Sequence, residues 1–368
     1  LNKQHIDKLD SVRGIAILLV LSYHTLLYKL PHYEVNEYLK NGFLVRTDLK
    51  SVILNFNPIG QGWMGVELFL VISGFLIHFI FLQNQNNFSW PEFFSKRFWR
   101  IYPPYLLVLI SFFILGIAIT FYGFKNLLSH ILLTHNFFDS TFFTINPSFW
   151  SIALEAQLYL IYPFFLFLVR YHGIKKTLAI IFLFNIVLTI IGLLLQIKSF
   201  SYGTFVLKFW IVWCVGAYLA DSFYNRRKIF QKPLFWFIGL YVLCFLFKLY
   251  YLTNYFILLP ITFSCVALIE TFLYNEFLEK YLLWKSLNNS LSFIGLISYS
   301  IYLIHQPLLN NLFCIYTLKT HHSYFNFLIS ILFVYLNIFL VSYSLYVLVE
   351  SKSILYGKNL RKKKRYFL

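Results

Sequence analysis

The sequence predicts an all-α protein: a polytopic transmembrane helical bundle of about ten spans with both termini cytoplasmic. Three observations carry that expectation. Hydrophobic residues fill 59% of the 368 positions and charged residues 12%, with a mean hydropathy of +0.68, far from the usage of soluble domains. Apolar stretches of about 20 residues, enough to cross a bilayer core about 30 Å thick, recur along the chain. Lysine and arginine gather in alternate connections between those stretches.

The spans are expected at about 12–30, 63–83, 102–122, 149–169, 177–197, 204–223, 234–251, 255–274, 293–316 and 325–349. With the N-terminus inside, the cytoplasmic side receives 22 of the 31 basic residues, clustered around 3–13, 96–100, 170–176, 226–232, 280–285 and 352–365. The net charge of +17 then reads as positive-inside topology rather than a nucleic-acid surface. The run RKKKR at 361–365 reads as an anchor on anionic membrane lipid. Residues 1–350 are expected to form one membrane domain and 351–368 a basic cytoplasmic tail. Residues 31–62, with Glu34, Glu37 and Asp48, form an outer loop long enough to cover an opening. A second outer loop, 124–148, contains HILLTHNFF and reads as a re-entrant or interfacial helix. Cys214, Cys244, Cys265 and Cys314 each sit in an apolar run and none forms a CxxC pair, so they read as small hydrophobes. The first apolar run carries a motif and is expected to be retained rather than cleaved as a signal.

That motif is RGIAILLVLSYH, with ten residues between Arg13 and His24. Eleven helical steps span roughly 16 Å and close to three whole turns, so the two side chains share a face. Arg13 then lies at a membrane surface and His24 near mid-depth. Such a pair suits a donor held by charge at the surface while its reactive end meets a proton-transfer group inside. An interfacial arginine with a structurally satisfied histidine reads equally well from this stretch alone. In GQGWMGVELFLVISGFLI, glycines permit close helix approach, and Glu67 is a carboxylate inside a span, either functional or interfacial. In KRFWRIYPP, Arg97 and Arg100 share a helix face and could clamp phosphate with Arg13. The plain reading is positive-inside anchoring, with Pro103 and Pro104 setting a helix start. In PSFWSIALEAQLYLIYP, Trp150 precedes Ser151 and Glu155, which face the same way and either serve the cavity of His24 or cap the helix. In SYSIYLIHQP, Ser300 and His305 give a second intramembrane polar path, functional or purely structural. Glu350 closes the last span, and an ion pair with a basic loop is its simplest role. No Gly-rich phosphate loop, HExxH zinc helix or GxSxG elbow occurs.

Taken together, RGIAILLVLSYH, GVELFLVISGFLI, KRFWRIYPPY, WSIALEAQLYL and ISYSIYLIHQP resemble the bacterial acyltransferase-3 family of integral-membrane acyltransferases that modify cell-surface glycans. The likeness covers about residues 9 to 350. It implies that His24 is the essential histidine and that Arg13, Arg97 and Arg100 are donor-side arginines. Glu67 takes the place of the acidic residue before the FFVLSG-like run. Trp150, Ser151 and Glu155 match a WSxxxExxxY pattern, and His305 a SYxxYxxH pattern. LFLVISG for FFVLSG, Ala156 for a second acid and Gln306 before Pro307 are departures that bear on acceptor specificity. Some members carry an extra extracytoplasmic hydrolase-like domain; with the last span closing near 350, direct transfer to the acceptor is expected here.

The resulting expectation is an O-acetyltransferase in the bacterial cytoplasmic (inner) membrane. It takes acetyl-CoA as co-substrate, with no bound cofactor and no metal. Its acceptor is a sugar hydroxyl of a lipid-linked or surface polysaccharide, such as lipopolysaccharide O-antigen. His24 acts as general base or brief acyl carrier, with Glu67 or Glu155 stabilising the imidazolium. A flippase or carrier of lipid-linked glycan is the alternative from another class. It should show broken helices in two related halves, and the sequence shows no such symmetry. A polysaccharide polymerase should show large basic outer loops. Consumption of acyl-CoA separates the first reading from both.

Overall fold

A computed structural model describes residues 3–29, 57–119, 123–197, 199–249, 256–274, 282–317 and 324–366. The expected outer loop at 31–62 lies outside the described residues as far as 56. Twelve principal helices follow one another: α1 (Lys3–Lys29), α2 (Gly65–Gln83), α3 (Trp90–Ile119), α4 (Phe124–Ile131), α5 (Trp150–Leu194), α6 (Val206–Tyr224), α7 (Pro233–Leu249), α8 (Leu258–Tyr274), α9 (Leu282–Leu296), α10 (Ser298–Thr317), α11 (Tyr324–Leu345) and α12 (Ser351–Tyr366). There is no strand among the described residues. Six helices are long and apolar enough to cross a membrane, and Pro233–Phe247 and Leu258–Tyr274 are shorter apolar helices at two more of the expected stretches. The all-α, multi-pass membrane architecture is therefore as the composition implies.

Three boundaries differ from expectation. The stretches expected at 149–169 and 177–197 belong to one helical run, α5, interrupted at Gly173 with φ 75° and ψ 158°. Forty-five residues of helix would measure about 68 Å, too long for one span, and only glycine adopts that backbone without strain. The span expected at 293–316 is two helices, α9 and α10, broken at Ile297. The prolines at 103 and 104 do not start α3; they lie inside it. Ser89, Pro91 and Glu92 supply the true start, with Glu92 in the first turn and bonded to Lys96 at 2.9 Å.

The contacts divide the chain into two compact units, 1–83 with 160–296, and 84–159 with 297–368. In the first, glycines set helix spacing. A Cβ on Gly74 of α2 would collide with the carbonyl of Trp213 on α6, and one on Gly216 of α6 with the carbonyl of Val71. The two backbones touch at that crossing, as small residues allow in membranes. Gly14 and Gly295 bring α1 against α9 in the same way, and Ser11 Oγ donates to the Asn288 carbonyl at 3.0 Å. Trp213, Tyr162, Phe75 and Phe165 are fully buried beside the α2–α6 crossing, with the Tyr162 and Trp213 rings 5.1 Å apart.

In the second unit, side chains repair a backbone broken by proline. Pro103 has no N–H for the Trp99 carbonyl four residues back, and Ser353 Oγ on α12 donates to it at 2.7 Å. Pro307 likewise frees the Leu303 carbonyl, which accepts from Asn146 Nδ2 at 2.8 Å. Asn146 Oδ1 also accepts from Ser148 N at 3.1 Å and Ser148 Oγ at 2.7 Å, fixing the approach to α5. The residues set apart as a basic tail continue the last apolar helix through a π turn, Tyr346–Glu350, into α12. α12 packs on the start of α3 through Tyr356 against Trp99, and Arg361 reaches Ser95 Oγ at 3.3 Å.

The α2–α6 crossing predicts that Gly216→Val lowers the thermal midpoint of the detergent-solubilised protein by several degrees, because an added side chain must push backbones apart at about 1–3 kcal/mol or more. Gly239→Ala, where a Cβ meets nothing within 4 Å, should leave the midpoint unchanged or slightly raised. Equal stability of Gly216→Val and wild type would refute the close contact.

Candidate functional site

The first unit holds Arg13, His24 and Glu67. Arg13 and His24 lie on one unbroken helix, α1, and both are half-buried, in keeping with a shared face. Arg13 Nη1 bonds Asp10 Oδ1 at 2.9 Å one turn earlier, a partner the motif reading did not include. The His24 ring packs edge-on to Tyr23, with centroids 5.3 Å apart. Glu67 is buried, 3% exposed, in the first turn of α2. Gly62 meets α1 at Leu19 and Tyr23, and Gly65 meets it at Ala16 and Val20, so the two helices run in opposite directions. That register sets Glu67 about two helical turns from His24 along α1. Glu67 instead lies within electrostatic range of Cys265 on α8. The same unit holds a histidine that motif reading passed over. His78 on α2 is buried, and its Nδ1 lies 3.2 Å from the Tyr162 hydroxyl. A polar residue inside LVISGFLIHFIFL was the available signal.

The second unit brings Arg97, Arg100, Trp150, Ser151, Glu155, Ser300 and His305 onto α3, α5 and α10. The Arg97 guanidinium lies over the rings of Phe93 and Tyr159, 5.8 and 5.6 Å from their centres. It is within electrostatic range of Glu155 and Arg100, and its Nε is buried without a hydrogen bond. The Tyr159 hydroxyl donates to Glu155 Oε1, one turn back along α5. A guanidinium, a phenol and a carboxylate thus form one chain, although the sequence reading put Arg97 and Glu155 near opposite membrane surfaces. Ser151 Oγ bonds the Tyr302 hydroxyl at 2.6 Å, and His305 Nδ1 donates to the Tyr302 carbonyl at 2.8 Å. Trp150 stacks on Phe142, with centroids 5.9 Å apart.

Ser300 Oγ donates at 2.7 Å to Glu350, which is 2% exposed and closes the π turn. Tyr299 donates to the Ile101 carbonyl at 2.8 Å and lies within electrostatic range of both Glu350 and Glu155. Glu350 therefore belongs to the interior polar cluster of this unit. Its signal in the sequence was a lone carboxylate at the end of a 25-residue apolar run, and π turns often occur at functional positions.

The segment expected to be re-entrant or interfacial folds along the middle of α3. Tyr102 and Tyr105 donate to the carbonyls of Ile131 and His130 at 3.1 and 2.9 Å. Its two histidines stack face to face, His130 on His135, with centroids 3.9 Å apart and planes within 5°. Both are fully buried. His130 Nδ1 donates to the Asn126 carbonyl at 2.7 Å, which leaves Nε2 as the bare nitrogen. Neither His135 nitrogen makes a hydrogen bond of acceptable geometry, although the backbone of Phe149 and Ser129 lies close. Burial pushes His130 down to about 4, and burial followed by the charge of His130 holds His135 well below the ordinary imidazole value.

Compared with known proteins, residues 6–347 match the family model of the acyltransferase-3 type, described as an acyltransferase domain. A Haemophilus influenzae protein of no stated function is 33% identical over 153 residues, 37% of this chain and 60% of that protein. A putative peptidoglycan O-acetyltransferase of Bacillus subtilis is 28% identical over 181 residues, 44% of this chain and 24% of that protein. A peptidoglycan O-acetyltransferase of Listeria monocytogenes is 26% identical over 183 residues, 45% of this chain and 25% of that protein. The alignments thus span about a quarter of the two named enzymes and less than two thirds of the Haemophilus protein. No solved structure matches the chain.

The stacked pair predicts a pH dependence. The unfolded chain protonates these histidines near 6.5, whereas in the folded chain burial holds His130 down at about 4 and His135 well below its ordinary value. The unfolded state therefore takes up protons first, and stability present above 6.5 is lost as pH falls toward 4. The thermal midpoint in detergent should drop over that window, and His135→Phe, which keeps the stack and removes one proton site, should flatten the drop. An unchanged profile in His135→Phe would refute this account.

Proposed function

Because the chain belongs to the acyltransferase-3 family, we propose that it is an integral-membrane O-acyltransferase that moves acetyl from acetyl-CoA to a sugar hydroxyl of a cell-surface polysaccharide. The observation that carries the proposal is the family match over residues 6–347, which takes in Arg13 and His24 on one unbroken helix. The names of the Bacillus and Listeria relatives support a surface glycan as the acceptor class. A lipid-linked or surface polysaccharide such as lipopolysaccharide O-antigen is the finer assignment, in the bacterial cytoplasmic membrane with the donor entering from the cytoplasm.

In this proposal the acceptor hydroxyl oxygen attacks the thioester carbonyl, the new C–O bond forms and the C–S bond breaks. His24 takes the hydroxyl proton and returns it to the departing thiolate. In the covalent variant the imidazole nitrogen first accepts the acetyl group and then yields it to the hydroxyl. A neutral imidazole with a reference value near 6.5 suits either task near neutral pH. Arg13 in the first unit and Arg97 and Arg100 in the second are the proposed phosphate-binding groups of the donor. Asp10 holds Arg13 in one rotamer and competes with an incoming phosphate for it. Glu155, through Tyr159, holds the Arg97 guanidinium. Glu67, buried in the first turn of α2, is the carboxylate proposed with Glu155 to stabilise the imidazolium of His24. Trp150, Ser151, Ser300 and His305 form the proposed acceptor-side path.

The test is label transfer in membranes given radiolabelled acetyl-CoA, with expression matched and the lipopolysaccharide and peptidoglycan fractions counted separately. Wild type should label one glycan fraction. His24→Ala should lose transfer by about 100-fold or more, the usual contribution of a positioned acid–base group. Arg97→Ala should raise KM for acetyl-CoA more than it lowers kcat. Absence of transfer by wild type to either fraction would overturn the reaction, and full activity of His24→Ala would overturn the role of the histidine.

A further inference from the structure

The turn between α6 and α7 carries an open cavity of about 490 Å³ that no step of acyl transfer uses. Lys228 and Lys232 stand at its polar end, and neither makes an ion pair with a carboxylate among the described residues. Lys228 Nζ lies 4.7 Å from the centre of the Tyr274 ring, which helps hold it at the rim. The turn itself is pinned. Both oxygens of buried Glu270 accept backbone N–H groups, from Ile229 at 2.7 Å and Phe230 at 2.8 Å. The Tyr274 hydroxyl donates to the Arg227 carbonyl at 3.3 Å, and Arg227 pairs with Asp221. Glu270 is thus engaged by the turn, with Lys228 in its electrostatic range, and because neither lysine is closed into an ion pair both ammonium groups stay open to a ligand.

The other wall is apolar and faces outward. Leu234, Phe235 and Ile238, on the first turns of α7, are 53%, 71% and 55% exposed. On a helix of a multi-pass protein such residues meet lipid rather than water. A soluble anion would find the lysines but leave this wall bare. A ligand with a phosphate at one end and an alkyl chain at the other matches both ends. Basic pockets at the water-side ends of membrane helices take such headgroups, the lysines drawing the phosphate to the surface.

We propose that this cavity binds one anionic phospholipid, its phosphate at Lys228 and Lys232 and an acyl chain along Leu234, Phe235 and Ile238. The site stands apart from acyl transfer and does not rest on it. All its residues lie in one unit of the chain.

The full chain, purified in mild detergent, is titrated with phosphatidylglycerol and phosphatidylcholine of matched chains and read by native mass spectrometry. Wild type should retain one phosphatidylglycerol with at least 10-fold preference over phosphatidylcholine. The double variant Lys228→Glu/Lys232→Glu should lose that preference, while the equally basic pair changed in Lys175→Glu/Lys176→Glu should keep it. Phe235→Ser should weaken both lipids alike, because it alters the chain wall and not the headgroup end. Helical content and elution volume report whether each variant is folded. Unchanged preference in the folded Lys228→Glu/Lys232→Glu protein overturns the proposal. Displacement of the lipid by millimolar inorganic phosphate or acetyl-CoA also overturns it, since the cavity would then be a soluble-anion or donor site.

Discussion

A chain this apolar can carry charge and bare backbone polar groups only where another part of the same chain answers them. In a hydrocarbon interior an unanswered amide group costs several kcal/mol, and no water is at hand. Much of the second unit follows from that constraint. Two prolines open two helices, and Ser353 and Asn146 close the carbonyls they expose. Glu350 accepts from Ser300, and Glu155 accepts from Tyr159, which in turn lies under Arg97. The first unit meets the same constraint by keeping most helices unbroken and letting glycines draw them together. Some of the charge that enters is tied to backbone, as when Glu270 binds two amides or Lys8 reaches the Leu273 carbonyl at 3.4 Å, and Arg13 is paired with Asp10.

The polar groups so retained have different uses. His24 and Arg13 sit on a helix with no proline, a stiff spacer of about 16 Å between a guanidinium and an imidazole. Arg97 is held by aromatic faces and a carboxylate chain instead, so its guanidinium is pre-oriented without being neutralised by a direct ion pair. Cation–π contact does not itself consume the N–H donors of a guanidinium, which is what the proposed donor-binding role asks of Arg97.

The fold class was open to reading because it depends on composition and on runs of 20 residues, which no tertiary contact can disguise. The shared face of Arg13 and His24 was legible for the same reason: helical period is local. What escaped depended on partners far away in sequence. Pro103 and Pro104 look like a helix start until Ser353 supplies the donor missing at the Trp99 carbonyl, 254 residues away from it in the chain. Glu350 looks like an interfacial charge until Ser300 buries it. His130 and His135 are five apart, a spacing that suggests no pairing on a regular helix; they stack only because the chain leaves α4 after Ile131 and turns back. Hydropathy marks where spans begin and end and not how they stand against one another, so Arg97 and Glu155 do not read as neighbours in the sequence.

The capture of the Trp99 carbonyl by Ser353 also bears on the order of synthesis. Helix α3 is made early, yet the hydroxyl that answers its opened carbonyl lies 254 residues beyond that carbonyl in the chain. Until Ser353 has been made, that carbonyl must borrow a partner from lipid headgroups, from water drawn into the membrane or from the insertion machinery. The second unit therefore closes only once Ser353 has been made, and its halves, 84–159 and 297–368, wait for each other while residues 160–296 of the first are synthesised. A ribosome that stalls in α11 would release a chain with a finished first unit and an open second one, the kind of half-built product that membrane quality-control proteases recognise.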